Sequence, residues 1–398
     1  MVIALATACM IVSGCQKDDT IDELDNPGFV ISLDTRQDAC NKSTRDFSLS
    51  LLEAVEAEDD GKGYFLSPLS VEFVLGMIAN GCSGEARAQI CDVLGTEDID
   101  ALNSYAATLL GKLPAIDKKT KIALANLALF DNKVTVKDGF KRVLVKDYLA
   151  EVDNKDFSSG KTVSYINDWA SKNTWGLIKG ITNEQSLRNQ LAFMANATYF
   201  KSSWADLKFD VAKNKDFTTE KGKKVKVNML ETKKELLMGG YERFTSLSIP
   251  FGNKLFYFTI YLPDNGVKIS DMIQDIRKGT RLLERKESSV VRFPKFVGEY
   301  KRDLSAILQG LGVQDIFKVA DFSEMTSFSP MFVSSIVQKS HMDVNEKGAE
   351  AAAVTSSYMA TVGESFSLGE FIADRPFIYT ITEVSTGTIL FIGKYAGE

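Results

Sequence analysis

Histidine is almost absent from this chain of 398 residues, and cysteine occurs only five times. The lone histidine, His341, rules out a zinc site built from several histidines, and a Ser-His-Asp triad would have to use it. No CxxC pair, no glycine-rich phosphate loop and no recognisable pair of acid/base carboxylates is present. These absences argue against an enzyme. We therefore assign no catalytic residue and expect neither a metal nor a cofactor.

An excess of positive charge and a long apolar run are also missing. The net charge is −6 with both signs interspersed, which gives no indication of nucleic acid or of a polybasic membrane surface as a partner. The composition is 44% hydrophobic and 25% charged, as in ordinary globular proteins. Because no linker, repeat or low-complexity tract interrupts the chain, we expect one large domain, most simply a monomer.

The N-terminus carries the one apolar segment, and it is too short to span a membrane as a helix. Residues 1–14 read as a signal peptide that ends in small residues before Cys15. The sequence VSGC resembles a bacterial lipoprotein cleavage box, which implies lipidation of Cys15 and a flexible tether over residues 15–40. The following QKDD resembles a surface-export signal, so we expect an outer-membrane lipoprotein on the cell surface, with a periplasm-facing protein as the alternative.

Three cysteines remain after Cys9 and Cys15 are set aside. Cys82 and Cys91 lie in apolar surroundings, where free cysteines behave as small buried hydrophobes. A Cys82–Cys91 disulfide is the open alternative.

Hydrophobic periodicity predicts helices and strands in irregular order, which is typical of an α+β fold. Ser70 is the predicted N-cap of one helix. The other predicted helices cover 43–58, 138–148 and 162–174, and the predicted strands cover 64–66, 121–130, 191–200, 290–296 and a hairpin over 377–394.

The most unusual stretch follows a strand-like run, Phe332–Val337, and contains no proline between Pro330 and Pro376. Small and β-branched residues without proline suit a segment that pairs as a strand. If the segment forms a strand, alternate side chains point to the same face of the sheet. The first face could be buried without burying a charged side chain, whereas the second face contains Glu350. An Ala-rich helix is the alternative. The first face comprises Ala349, Ala351, Ala353, Thr355, Ser357 and Met359.

The sequence VNEKGAEAAAVT in this stretch resembles the reactive-loop hinge of the serpins. FLSPLS, NATYFKSSW and DRPFIYTI resemble further serpin motifs in the family's order, and the resemblance extends from Asn41 to Tyr395. It implies one α+β domain over 41–398. That domain would have a large mixed central β-sheet, smaller sheets, eight or nine helices and an exposed reactive loop.

The resemblance also assigns roles to residues. A sheet-opening region is implied at Ser67, Ser70, Asn196, Trp204 and Gln338, with Trp204 where the loop first enters the sheet. Many serpins have a histidine at the position of Gln338; glutamine still donates and accepts, so a hydrogen bond to Asn196 or Ser70 is expected. The implied loop hinge consists of Glu346, Lys347, Gly348, Ala349, Glu350, Ala351, Ala352 and Ala353.

The implied function is irreversible suicide inhibition of serine proteases, and also of cysteine proteases, through a covalent acyl-enzyme. Family spacing places the scissile bond at Val362–Gly363, which suits elastase-like enzymes, whereas a shift to Met359 or Tyr358 would suit chymotrypsin-like ones. The lack of Lys and Arg from 348 to 374 disfavours trypsin-like targets. The alternative is a non-inhibitory serpin that acts as a surface binding protein.

Overall fold

The computed structural model describes residues 30–278, 283–349 and 369–397. Cys15, the predicted scissile bond and the hinge residues from Glu350 onward lie outside the described residues. Within them, the helices are α1 (Thr35–Ala57), α2 (Pro68–Gly81), α3 (Gly84–Leu94), α4 (Ile99–Lys112), α5 (Asp138–Asp147), α6 (Gly160–Asn173), α7 (Glu184–Leu187), α8 (Ile269–Lys278) and α9 (Ser305–Leu311).

The strands form two mixed sheets, which confirms the predicted α+β class. A nine-stranded sheet has the order β1-β15-β14-β8-β7-β6-β9-β13, with β5 beside β6, and a six-stranded sheet has the order β10-β11-β12-β4-β2-β3. The strands are β1 (Tyr64–Leu66), β2 (Thr120–Asp131), β3 (Glu151–Lys155), β4 (Ala192–Ser203), β5 (Asp210–Thr218), β6 (Lys224–Gly240), β7 (Phe244–Phe251), β8 (Phe256–Pro263), β9 (Leu283–Pro294), β10 (Phe296–Asp303), β11 (Val337–Asn345), β12 (Gly348–Ala349), β13 (Glu370–Ile372), β14 (Phe377–Glu383) and β15 (Ile389–Tyr395).

Both faces of the six-stranded sheet are covered, because β2 presents apolar side chains on each of them. Ala128 and Phe130 belong to the main core, which includes the buried face of α2. Leu127 and Leu129 belong to a second cluster with Ile166 and Trp169 of α6. Alternate side chains of one strand point to opposite faces, so α2 and α6 lie on opposite sides of the sheet. This arrangement sandwiches the central strands between two helices.

The folded domain begins earlier than the sequence suggested. The helix α1 starts at Thr35, behind a capping box in which Asp34 accepts backbone hydrogen bonds and the Gln37 side chain accepts from the Asp34 N–H. Ile31 is buried, and its N–H donates to Ser385 Oγ at 3.0 Å. Residues 31–40 are therefore part of the domain, although the sequence assigned them to the tether.

Two local predictions were wrong. Ser67, not Ser70, is the N-cap of α2: its Oγ accepts from the Ser70 N–H at 3.3 Å, and Pro68 occupies the first helical turn. Residues 332–336 do not form a strand, since β11 begins at Val337. Among the described residues, no helix is both long and apolar enough to cross a membrane.

Candidate functional site: a slot in the six-stranded sheet

The strand β12 fills only the top of the space between β4 and β11. Ala349 lies opposite Val344 of β11 on one side and Ser202 of β4 on the other, and Gly348 adds one further pair on each side. Below these two residues, no described strand pairs with 192–201 of β4 or with 337–343 of β11 along the edges that face each other. Unpaired strand edges expose a row of backbone donors and acceptors that can accept another strand. We call the space between these facing edges the slot; among the described residues, no strand fills it below Ala349.

The hinge enters the slot at a position that only glycine fits. Gly348 has φ +136°, and a Cβ on it would lie 2.1 Å from the Ser202 carbonyl oxygen. Ala349 is buried, with 4% of its surface exposed. Its burial agrees with the period-2 prediction that Ala349 belongs to the inward face. The described part of the hinge is thus a strand rather than the start of an Ala-rich helix.

Trp204 lies at the entrance of the slot and bonds to the main chain there. Its indole Nε1–H donates to the Asn345 carbonyl oxygen at 2.9 Å, and its backbone N–H donates to the Lys347 carbonyl oxygen at 3.3 Å. The ring is buried and stacks on Phe251 with centroids 4.6 Å apart. A buried indole needs a partner for its N–H. Trp204 is therefore a core aromatic that also bonds to the main chain at Asn345 and Lys347, and its part in loop entry stays a prediction.

An ion pair fixes the base of the hinge from the other side. Lys295, between β9 and β10, places its Nζ 2.6 Å from Glu346 Oε2. The hydrogen bond from Lys295 lowers the pKa of Glu346 below its ordinary value. Both side chains are about one-third exposed. The pair is a positional restraint rather than a large source of stability, because solvent screens it.

The predicted sheet-opening residues do not form one cluster, and they make different contacts from those expected. Gln338 bonds to the main chain of Ser67: its Oε1 accepts from the Ser67 N–H at 3.0 Å and its Nε2 donates to the Ser67 carbonyl at 2.8 Å. The expected bond to Asn196 or Ser70 is not formed. Asn196 instead donates to Asn126 Oδ1 of β2 at 2.8 Å. Gln338 therefore ties β11 to the N-terminus of α2, and Asn196 ties β4 to β2.

Two cavities lie along the slot. The upper one is immediately below Ala349 and is lined by Tyr199 and Phe200 of β4 and by His341 and Met342 of β11. The lower one, of about 160 Å³, is lined by residues 192–197 of β4 and by the segment that leads into β11. Their walls come from both strands, but the upper cavity measures only about 10 Å³, so only the lower one has room for more than about one water molecule.

Sequence reasoning missed a crossing segment after α6 that spans the slot. Trp175 lies over Tyr199 of β4, with ring centroids 4.6 Å apart, and the carbonyl of Lys179 accepts from Lys339 Nζ of β11 at 2.8 Å. We call residues 174–183 the strap. Trp175 is exposed and has a positive φ, which marks the strap as unusual. This φ can be seen only in the structure, so it could not have been used to predict the strap from the sequence.

The solitary histidine shows no catalytic setting. His341 is mostly buried in β11, and its Nδ1 has no hydrogen-bond partner in the described part of the chain; the nearest carboxylate is Glu299 Oε1 at 3.7 Å. No group of three metal-ligating side chains occurs in residues 30–278, 283–349 and 369–397. Cys40, Cys82 and Cys91 are free and buried, so the alternative of a Cys82–Cys91 disulfide is not realised.

The two mixed sheets, the helices on both faces of the smaller one and the hinge residues between β4 and β11 define the α+β class of this protein. The chain belongs to the serpin family: the family model described as Serpin (serine protease inhibitor) matches residues 42–397. Membership supports a protease-inhibitor role in general terms, and serpins are generally inhibitors rather than catalytic enzymes.

Relatives and solved structures agree with this assignment. Serpin-ZX of Arabidopsis thaliana is 32% identical over 353 residues, covering 82% of this chain and 90% of the relative. Serpin-ZXA of Oryza sativa subsp. japonica is 32% identical over 358 residues, covering 84% of this chain and 89% of the relative. The thermophilic serpin tengpin in its native state superposes with a TM-score of 0.81 at 28% identity, covering 92% of this chain and 95% of that one.

Proposed function

We propose that this protein irreversibly inhibits serine proteases, and also cysteine proteases, by offering its loop as a substrate and then inserting the cut loop into the slot. The observation that carries the proposal is the seating of Gly348 and Ala349 between β4 and β11 above open strand edges. Insertion of a serpin reactive loop into its own sheet is a known example of strand addition and of released strain.

The chemical step belongs to the protease. Its nucleophilic oxygen or sulfur attacks the carbonyl carbon of the residue before the scissile bond, the C–N bond breaks, and the new amine leaves with a proton. An ester or thioester then joins the two proteins. Insertion of the freed loop carries the attached protease along the sheet, and distortion of its active site prevents water from completing hydrolysis.

The slot supplies the driving force for insertion. A new main-chain hydrogen bond contributes about 1 kcal/mol net, so roughly ten of them supply on the order of 10 kcal/mol. A buried charge or a proline on the inserting strand would remove several kcal/mol of that sum. The inward face from Ala349 to Ser357 contains neither, which favours an inhibitor over a non-inhibitory binding protein.

We place the scissile bond at Val362–Gly363, with Met359 and Tyr358 as alternative positions for the residue before the cut. A small β-branched valine suits elastase-like enzymes, and Met359 or Tyr358 suits chymotrypsin-like ones. No Lys or Arg is available in this segment for trypsin-like enzymes.

The direct experiment mixes the chain from Lys17 onward with elastase, chymotrypsin, subtilisin and trypsin, followed by a denaturing gel. All described elements lie within residues 30–397, so this chain keeps the fold. We expect a band at the summed mass with elastase or chymotrypsin, and the first residue of the released peptide identifies the bond. Cleavage by every protease without such a band would overturn the proposal and favour the non-inhibitory binding protein.

We further propose that lipidated Cys15 anchors the inhibitor to the outer membrane, facing the outside of the cell. The support is the VSGC sequence and the QKDD that follows it. Labelling cells with a fatty-acid analogue should mark the wild-type protein and not Cys15→Ser, and added protease should digest the labelled protein on intact cells. Label that persists in Cys15→Ser would exclude the anchor, and protection on intact cells would support the periplasm-facing alternative.

A further inference from the structure

The lower cavity of the slot has the size and the walls of a small-ligand site. Its volume of about 160 Å³ is bounded by Ile178 of the strap, Phe193 of β4, and Met325, Met331 and Ile336 from the segment before β11. Four of these side chains have less than a tenth of their surface exposed, and Phe193 is partly buried. An apolar cavity of about 150 Å³ accepts a molecule of benzene size. The interior therefore suits an apolar group of that size.

The rim of this cavity is cationic. Lys301 of β10 and Lys339 of β11 both line it, and they are directly opposite each other in the strand register. Like charges in that position destabilise a sheet unless an anion lies between them. Lys301 makes no ion pair among the described residues, and Lys339 reaches only a neutral acceptor, the Lys179 carbonyl. An anion between the two lysines would therefore be bound favourably.

The nearby carboxylates do not supply that anion. Glu299 and Asp303 are two positions away from Lys301 on either side along β10. Glu299 lies 3.7 Å from His341 Nδ1, and Asp303 accepts hydrogen bonds from the N–H and the hydroxyl of Ser305. Neither acid forms an ion pair with Lys301 or Lys339 in the described part of the chain.

We propose that the lower cavity binds a small amphipathic carboxylate, with an apolar body of about benzene size inside and the carboxylate between Lys301 and Lys339. The polar side chain of Gln190 on the same wall offers a further donor to its head. Because the cavity occupies the slot between β4 and β11, an occupied cavity opposes insertion of the loop. This regulatory consequence rests on the proposed inhibitory function; the binding itself does not.

The test compares three compounds that share a phenylpropyl group and differ in the polar group at its end: 3-phenylpropionate, 3-phenylpropanol and 3-phenylpropylamine. Calorimetric titration of the chain from Lys17 onward should show binding of the acid and about tenfold weaker binding of the alcohol. The amine should bind more weakly still. In the double variant Lys301→Gln/Lys339→Gln, the affinity for the acid should fall to the affinity for the alcohol. Lys318→Gln, outside the cavity, should leave the affinity for the acid unchanged. Equal affinities for acid and alcohol, unchanged binding by the double variant, or no binding of the acid at millimolar concentration would each overturn the proposal.

A second experiment tests the regulatory consequence separately from ligand binding. If the chain traps a protease, saturating 3-phenylpropionate should lower the ratio of trapped to cleaved chain. An unchanged ratio in the presence of bound acid would overturn the regulatory consequence. If no protease is trapped, the inhibitory proposal fails while the calorimetric result still decides whether the cavity binds carboxylates.

Discussion

At the scale of single residues, some side chains lower the stability of the native state, and Glu72 is the clearest example. It lies on α2 with 2% of its surface exposed, and its Oε1 has no hydrogen-bond partner among the described residues. Desolvation raises the pKa of Glu72 well above its ordinary value. A buried carboxyl without a partner is disfavoured when charged. This residue therefore couples the stability of the native state to pH.

We predict that Glu72→Gln flattens the pH dependence of stability. With a folded-state pKa above the unfolded one, the contribution of Glu72 is fully present below the unfolded value, near 4.3, and is lost as the pH rises through the folded value. Each pH unit in that window costs the wild type about 1.4 kcal/mol. Melting temperatures from pH 4 to 8 should converge at low pH and favour Glu72→Gln at neutral pH. The exposed Glu97→Gln is the control, and parallel curves for wild type and Glu72→Gln would refute the assignment.

The ion pair between Lys295 and Glu346 gives a second prediction at this scale. Lys295→Gln should destabilise the native state by about 0.2–1 kcal/mol, since both groups are partly exposed. The lowered pKa of Glu346 means that the pair contributes above the unfolded pKa and is lost as the pH falls through the folded one. Melting temperatures in low and high salt provide the measurement, because salt should shrink the difference. A difference that high salt leaves intact would show that the charge of Lys295 is not what matters.

At the scale of elements, the two-residue strand β12 is the part of the proposed insertion site that the structure describes. Its local sequence fitted an Ala-rich helix as well as a strand, and the resemblance to the serpin hinge favoured the strand. The pattern also placed β1, β2 and β4 to within a few residues of their observed limits. Contacts between distant segments were not predictable in this way. The Lys295–Glu346 pair joins residues 51 positions apart, and the Lys339–Lys179 bond joins residues 160 positions apart.

Some errors at this scale had readable local signals. Pro68 at the first turn favours Ser67 as the N-cap, because proline lacks the donor that this position leaves unused. Asp34 followed by Gln37 marks the true start of α1 as a capping box. The pairing of Gln338 with the Ser67 main chain had no such signal, since glutamine can bond to many partners.

Ala349→Arg tests the slot as an element. The side chain at this position is buried between β4 and β11, so an arginine must either be buried without a partner or keep the hinge out of the sheet. We predict that the variant is cleaved by the target protease but traps at least tenfold less of it, as measured on denaturing gels. Ala349→Ser, which introduces no charge at the same position, is the matched control and should trap nearly normally. Equal trapping by Ala349→Arg and wild type would exclude insertion.

At the scale of the whole molecule, we propose that the loop-inserted form is more stable than the intact chain. The edges of β4 and β11 below Ser202 and Val344 have no strand partner in the described residues, and two cavities lie between them. Filling this space adds backbone hydrogen bonds and packing without unfolding either sheet. The proposed insertion mechanism therefore requires that the chain gain stability once the loop is cut.

We predict that chain cut in the loop melts at a higher temperature than intact chain. A gain on the order of 10 kcal/mol corresponds to a rise of roughly 10–20 °C for a protein of this size. Differential scanning calorimetry of the intact and cut chains provides the comparison, with Ala349→Arg cut in the same way as the control that should show little rise. A cut wild-type chain that melts at or below the intact one would mean that the slot stays open.

Hydrogen exchange of the two open edges tests the central claim most directly. Mass spectrometry should follow the backbone amides of 192–201 in β4 and 337–343 in β11 in the intact chain and after the loop is cut. If the cut loop becomes a strand between them, amides on both edges gain protection together, while the amides of β2 change little because they are already paired. If exchange at the two edges is the same before and after cleavage, the loop does not enter the slot, and the account of this protein as an inserting inhibitor is wrong.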